Sequence, residues 1–266
     1  MDLLLDSSIA HGFDRPAQAG KPTLLLIHGA GLDHGAWHPV IERLPGYGIL
    51  APDLPGHGRS GGAPLPDIET MASWILQLQD ALRVGEVRLV GHSMGSMIAL
   101  ECAGRDATDS TATGRTRIAG IALLGTAFPI AVTPALLDTA ASDEARAQHM
   151  VNGWSHATPR PGEGEVSPAL AAVMANNLIC MQRQPRGALF TDLNACNRYA
   201  AGLVRAANVG CPALMLLGEK DRMTPPRGAQ ELAATIVGVR LLTLPGCGHN
   251  MMGEHPEQVA QALMQA

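Results

Sequence analysis

Residues 87–104 read VRLVGHSMGSMIALECAG, and this stretch limits the possible folds more than any other. Apolar residues in strand-like succession end at Gly91, and apolar residues at helical spacing begin at Met94. Glycine weakens strand and helix alike. Two glycines bracketing Ser93 in G-x-S-x-G therefore mark a sharp turn with the serine at its apex. A strand, a tight turn and a helix in that order belong to a sheet whose helices pack back across its faces.

The rest of the chain repeats that alternation. TLLLIHG (23–29) reads as a strand, WHPVIERL (37–44) as a short helix, and GILAPDLPG (48–56) as a strand with a Pro/Gly turn. Between 67 and 83, Ile68, Met71, Ile75, Leu78 and Leu82 share one helical face, with Pro66 just before the start. The helix after Ser93 covers 94–104; IAGIALLG (118–125), PALMLLG (212–218) and VRLLTLP (239–245) are further strands. PEQVAQALMQA closes as a helix with proline in its first turn. The opening LLLDSSIAHGF offers one or two edge strands. The expectation is an α/β domain with a mostly parallel central sheet flanked by helices.

Residues 126–208 break the alternation. They hold Met150, Trp154, Met174, Leu178, Met181 and Leu189, and a Pro/Gly-rich piece at 158–168. A structureless loop of that length does not suit a compact domain. A helical insertion is expected there, with 1–125 and 209–266 forming the core.

Composition narrows the function. At 46% hydrophobic and 16% charged the chain is globular rather than disordered. A net charge of −5, with acids and bases interspersed, argues against a nucleic-acid or anionic-membrane surface. No stretch approaches the ~20 apolar residues that span a bilayer. The start MDLLLDSSIAHGF opens with an acid and has too short an apolar run for a secretory signal. The five cysteines are odd in number and lack a C-x-x-C pair, which fits buried free thiols in a reducing compartment. A cytoplasmic protein is the default.

The strand–turn–helix setting makes GHSMG a nucleophile elbow. A serine needs a base, and the base an orienting acid. In an open α/β sheet both come from loops at the carboxyl ends of other strands. LLGEKDRMTP offers Glu219 and Asp221, with Asp221, deeper in the loop, preferred; LPGCGHNMMGEHPE offers His249 and His255. His249 follows a Gly-Cys-Gly bend that returns it toward the serine, whereas His255 precedes Pro256 and belongs to the last helix. Oxyanion donors would be the N–H of Met94 and that of Ala30, in the loop HGAGLDHGAW.

HGAG (28–31), DLPGHGRS (53–60), GHSMG (91–95), GEKDRMTP (218–225) and GCGH (246–249) together resemble the α/β-hydrolase superfamily over nearly the whole chain. The resemblance implies the α/β-hydrolase fold, with Ser93 as nucleophile, His249 as base and acid, Asp221 orienting it, and Ala30 and Met94 as the oxyanion hole. It also implies that 126–208 is a lid. Relatives cleave esters, lactones, amides, epoxides and carbon–carbon bonds; serine at the elbow disfavours the epoxide hydrolases and dehalogenases, which carry aspartate there.

Two weaker signals are set aside. Gly56, Gly58 and Gly61 form a literal G-x-G-x-x-G, but a loop follows where a dinucleotide site needs a helix. His34 and His38 have zinc-pair spacing without the glutamate, and Gly35 spoils the helix. The expected function is cofactor-free, metal-free serine hydrolysis of a small or medium, mainly apolar ester, in a pocket holding Leu32, Met150, Trp154, Leu178 and Met181. A lactonase, a carbon–carbon bond hydrolase with the same triad, or a ligand-binding receptor are the alternatives. The partner is a small-molecule ester-like substrate, with self-association left open.

Overall fold

In the computed structural model, residues 1–5, 8–113, 116–159 and 164–266 are described. Parts of two sequence readings, residues 6–7 of the opening stretch and 160–163 of the Pro/Gly-rich piece, lie outside them. Eight strands form one sheet: β1 Asp2–Leu5, β2 Ser8–Arg15, β3 Thr23–Ile27, β4 Gly48–Pro52, β5 Val87–His92, β6 Ile118–Leu124, β7 Ala213–Gly218 and β8 Arg240–Leu244. Their order is β1-β2-β4-β3-β5-β6-β7-β8. The β1–β2 and β2–β4 pairs are antiparallel, and every pair from β4 to β8 is parallel.

Central strands covered on both faces read as continuous apolar runs, because alternate side chains serve opposite layers. In β3, Leu25 and Ile27 join the layer packed by helices Ile68–Ala81 and Met94–Thr113. Leu24 and Leu26 join the other, with Trp37, Val40 and the final helix Pro256–Met264. Helix Ile68–Ala81 is started by the Asp67 carboxylate, which accepts the Thr70 N–H at 2.7 Å, and it buries Ile68, Met71, Ile75 and Leu78. The helix after the serine continues past Gly104 to Thr113. Gly104 is a packing residue there, since a Cβ would lie 2.8 Å from the Arg205 carbonyl oxygen.

Between β6 and β7 run helices Pro134–Ser142, Glu144–Trp154, Pro168–Gln182, Ala188–Arg198 and Gly202–Ala207. Thr133, Asp143 and Ser167 cap the first three by accepting a backbone N–H within the first turn. Leu136, Val151, Met181, Leu189 and Leu193 from these helices form a third apolar cluster with Leu32 from the loop after β3. All five cysteines are free, and burial pushes each thiol's pKa up. No helix among the described residues is long and apolar enough to cross a membrane.

Candidate active site

The turn after β5 is as tight as its glycines require. Ser93 has φ +53°, a left-handed conformation that side-chain-bearing residues rarely adopt. A Cβ on Gly91 would lie 2.0 Å from the Gly95 carbonyl oxygen, and one on Gly95 would lie 2.3 Å from that of Ile27. Strand and helix thus cross at backbone contact. The Ser93 N–H donates to the Leu124 carbonyl at 2.8 Å, and the Ser93 carbonyl accepts the Ser96 N–H at 2.9 Å.

Beyond the end of β7, the Asp221 carboxylate is held on all sides. Its Oδ1 accepts the N–H groups of Met223 and Thr224, both at 2.8 Å. Oδ2 accepts the Thr224 hydroxyl at 2.8 Å and His249 Nδ1–H at 2.7 Å. Burial alone would raise the Asp221 pKa; the His249 ring and the Thr224 hydrogen bonds outweigh it and hold the carboxyl below its ordinary value. With its Nδ1 proton committed to Asp221, His249 keeps Nε2 for proton transfer. Glu219 lies elsewhere: its carboxylate accepts the Gly246 N–H at 2.6 Å across the base of the His249 loop. His255 immediately precedes helix Pro256–Met264.

His92 packs its ring 4.7 Å from that of His249 and donates Nε2–H to the His249 carbonyl at 2.9 Å. Burial and the neighbouring His249 drive its pKa down to about 3, so it is neutral near pH 7. Asn250 fixes the same loop from the other side, its N–H donating to Ser155 O at 2.7 Å.

The loop after β3 is pinned by His28. Its Nδ1–H donates to Gly29 O at 2.9 Å, and its Nε2 accepts the Leu54 N–H at 3.1 Å. Burial keeps this imidazole neutral by lowering its pKa. Neither the Ala30 N–H nor the Met94 N–H has a hydrogen-bond partner among the described residues.

A cavity of about 160 Å³ joins these parts. Ser93, His249, Ala30, Leu32, Trp154 and Met181 all line it, and no hydrogen bond joins Ser93 to His249 among the described residues. Met150 and Leu178, placed in the pocket by the sequence reading, are not in its lining. Asn177 and Met181, one helical turn apart, face the cavity, and Leu178 is rotated about 100° from Asn177. Val151 and Trp154 face it from helix Glu144–Trp154, while Met150 packs against the apolar cluster formed by these helices. Thr224 and Asn177 were missed by the sequence reading. The D-x-x-T spacing of Asp221 and Thr224 is a recognisable side-chain turn signal; Asn177 carries none. Arg222 is the one Lys or Arg in the lining among the described residues.

His34 and His38, set aside as a zinc pair, have ring centroids 5.4 Å apart. His11, His34 and Asp53 place potential ligand atoms within 4.8 Å of one another. Their groups are already engaged: Asp53 Oδ1 accepts the His34 N–H and ring at 2.9 and 2.6 Å, Asp53 Oδ2 accepts the Arg59 N–H at 3.1 Å, and His11 Nδ1 is 2.6 Å from Asp2. These contacts join β1 to β2 and the loop after β3 to the loop after β4.

A family model described as "Alpha/beta hydrolase family" matches residues 24–262. The chain is 30% identical to the pimeloyl-[acyl-carrier protein] methyl ester esterase of Xanthomonas campestris pv. campestris over 91% of this chain and 93% of that one. Among solved structures it is similar to an enol-lactonase from Burkholderia xenovorans LB400, with a TM-score of 0.83, 22% identity, and 100% and 98% of the two chains covered. It is also similar to an esterase from Exiguobacterium antarcticum, with a TM-score of 0.83, 19% identity, and 98% and 96% covered.

Proposed function

Because the chain belongs to the alpha/beta hydrolase family, we propose that it is a serine hydrolase cleaving a small to medium, mainly apolar carboxylic ester through an acyl-enzyme on Ser93. One juxtaposition carries this reading: a serine at φ +53° shares a cavity with a buried histidine whose Nδ1 is bound to a carboxylate. Ser93 Oγ attacks the acyl carbon as His249 Nε2 takes its proton. The carbonyl oxygen becomes an oxyanion held by the N–H groups of Ala30 and Met94. The intermediate collapses, and His249 returns the proton to the departing alcohol. Water, deprotonated by the same ring, then attacks the acyl-enzyme and releases the acid. Hydrogen bonds of this kind are often long in unliganded sites and tighten once substrate is bound.

Residues 126–208 act as the lid of this site, since Trp154, Met181 and Leu193 from that segment line the cavity. Its lining of Leu32, Ile130, Val132 and Leu136 supports an apolar acyl or alcohol group. An ester is also named as the substrate of the Xanthomonas relative. Replacing Ser93→Ala abolishes hydrolysis of a short p-nitrophenyl ester while circular dichroism and Tm stay those of the wild type. Undiminished turnover would remove the assignment.

A further inference from the structure

Asp192 lies on helix Ala188–Arg198, between β6 and β7, yet its carboxylate reaches the loop after β3. Its Oδ2 accepts the Gly31 N–H at 2.8 Å and lies 2.9 Å from His57 Nε2. Both side chains of the His57–Asp192 pair are 0% exposed. The same helix packs directly on the loop: Gly31 has φ +64°, and a Cβ there would lie 2.9 Å from the Leu189 side chain. Asp33, two residues on, is clamped by Arg183 Nε at 2.6 Å and Gln184 Nε2 at 2.8 Å. The loop that bears Ala30 is therefore shaped by residues drawn from the segment above it.

The charge on this contact matters because of where it sits. His57 Nδ1 lies 3.1 Å from the Pro55 carbonyl oxygen, so both of its nitrogens face acceptors. Acceptors at both nitrogens favour the doubly protonated ring, an imidazolium. Burial opposes its charge, and the Asp192 carboxylate outweighs that and raises its pKa. A buried carboxylate without this partner would stand one peptide unit from the N–H that meets the developing oxyanion, and like charges in a dry site repel strongly.

Resting on the acyl-enzyme reading, we propose that Asp192 is a positioning residue that holds the Gly31 N–H and thereby fixes the backbone beside Ala30, so that the Ala30 N–H faces the oxyanion, and that His57 cancels its charge so that the transition state is not repelled. The oxyanion hole is then complete only while helix Ala188–Arg198 is seated. The segment that covers the substrate also switches on its electrophilic site.

The test uses the full-length protein with Asp192→Ala, His57→Gln and the double variant His57→Gln/Asp192→Asn. A trifluoromethyl ketone serves as oxyanion probe: Ser93 Oγ bonds to its carbonyl carbon, the carbonyl oxygen becomes the anion, and His249 takes the serine proton. Asp192→Ala and His57→Gln each lower kcat by about 10-fold or more with KM within about twofold, and weaken the ketone in parallel with kcat. The neutral double variant regains part of the kcat lost in His57→Gln. Wild-type kcat in the single variants, a change in KM alone, or no recovery in the double variant overturns the proposal. In the wild type at pH 7.0, nitrogen-15 shifts of the His57 ring show protons on both nitrogens, a result independent of how well any variant folds; a single proton overturns the charge cancellation. A wild-type enzyme that neither turns over the ester nor binds the ketone defeats the acyl-enzyme reading instead.

Discussion

Thr224 shows how a single side chain can set the chemistry of another. Its hydroxyl donates to Asp221 Oδ2 at 2.8 Å and sits 3.1 Å from His249 Nδ1, so it fixes the carboxylate edge that the imidazole meets. Thr224→Val keeps the shape and removes that donor. A hydrogen bond to a charged group contributes about 1.5–3 kcal/mol, so kcat is expected to fall by about 10- to 150-fold with KM nearly unchanged; steady-state kinetics on a p-nitrophenyl ester check this, and wild-type kcat would refute the role. At this scale the sequence is legible where a motif ties a residue to a strand end. Ser93, Asp221 and His249 were all reached that way; Ser93 and His249 line one cavity, and Asp221 is bonded to His249. Asp192 and His57 were not legible: they meet across 135 positions, and nothing local to either names the other. Leu178 was misplaced because apolar character alone does not say which side of a helix faces a cavity.

The elbow is an element-scale device, a strand and a helix brought to backbone contact. Gly95→Ala places a Cβ 2.3 Å from Ile27 O and 2.7 Å from His28 O, both backbone atoms of the adjoining strand and loop. Overpacking of this kind costs about 1–3 kcal/mol, and Tm falls about 2–4 °C for each kcal/mol in a domain of about 150–250 residues. Differential scanning calorimetry of Gly95→Ala is expected to show a drop of several degrees, and an unchanged Tm would show that the crossing is looser than drawn. The inner parallel strands β3, β4, β6 and β7 were legible because both faces of each are largely buried and their sequences are almost wholly apolar; the edge strand β8 is mostly exposed and was legible from its leucines alone. The antiparallel β2 was faint: Gly12 sits within it because a Cβ would lie 2.3 Å from Ala51 O, so packing against β4 took a strand-weakening residue. The helix after Ser93 was read short at Gly104 for the same reason in reverse, a glycine chosen for close approach rather than for a stop.

Over the whole molecule, buried histidines couple stability to pH. His28, His92 and His156 are held neutral with lowered pKa values, chiefly by burial. In the unfolded chain each takes a proton near pH ~6.5, so the stability they contribute is full above that pH and is lost as pH falls toward the folded values. Two groups work the other way. His57, raised chiefly against its burial by Asp192, and Glu254, raised by burial to about 7, contribute stability that is lost as pH rises through their folded pKa values. Urea unfolding between pH 4 and 6 is expected to show stability falling on acidification. His92→Gln keeps a donor for the His249 carbonyl and removes one titrating ring, which flattens the slope by about one proton, or ~1.4 kcal/mol per pH unit. An unaltered slope would show that His92 is already charged in the fold.

The whole scheme rests on a covalent bond at one oxygen, and rapid-quench peptide mass spectrometry observes it directly. Wild-type protein mixed with excess p-nitrophenyl ester and stopped in acid is expected to carry the acyl group on the peptide containing Ser93, with no adduct in Ser93→Ala and far less in His249→Ala. Steady ester turnover with no adduct, or with the acyl group on another residue, would contradict it.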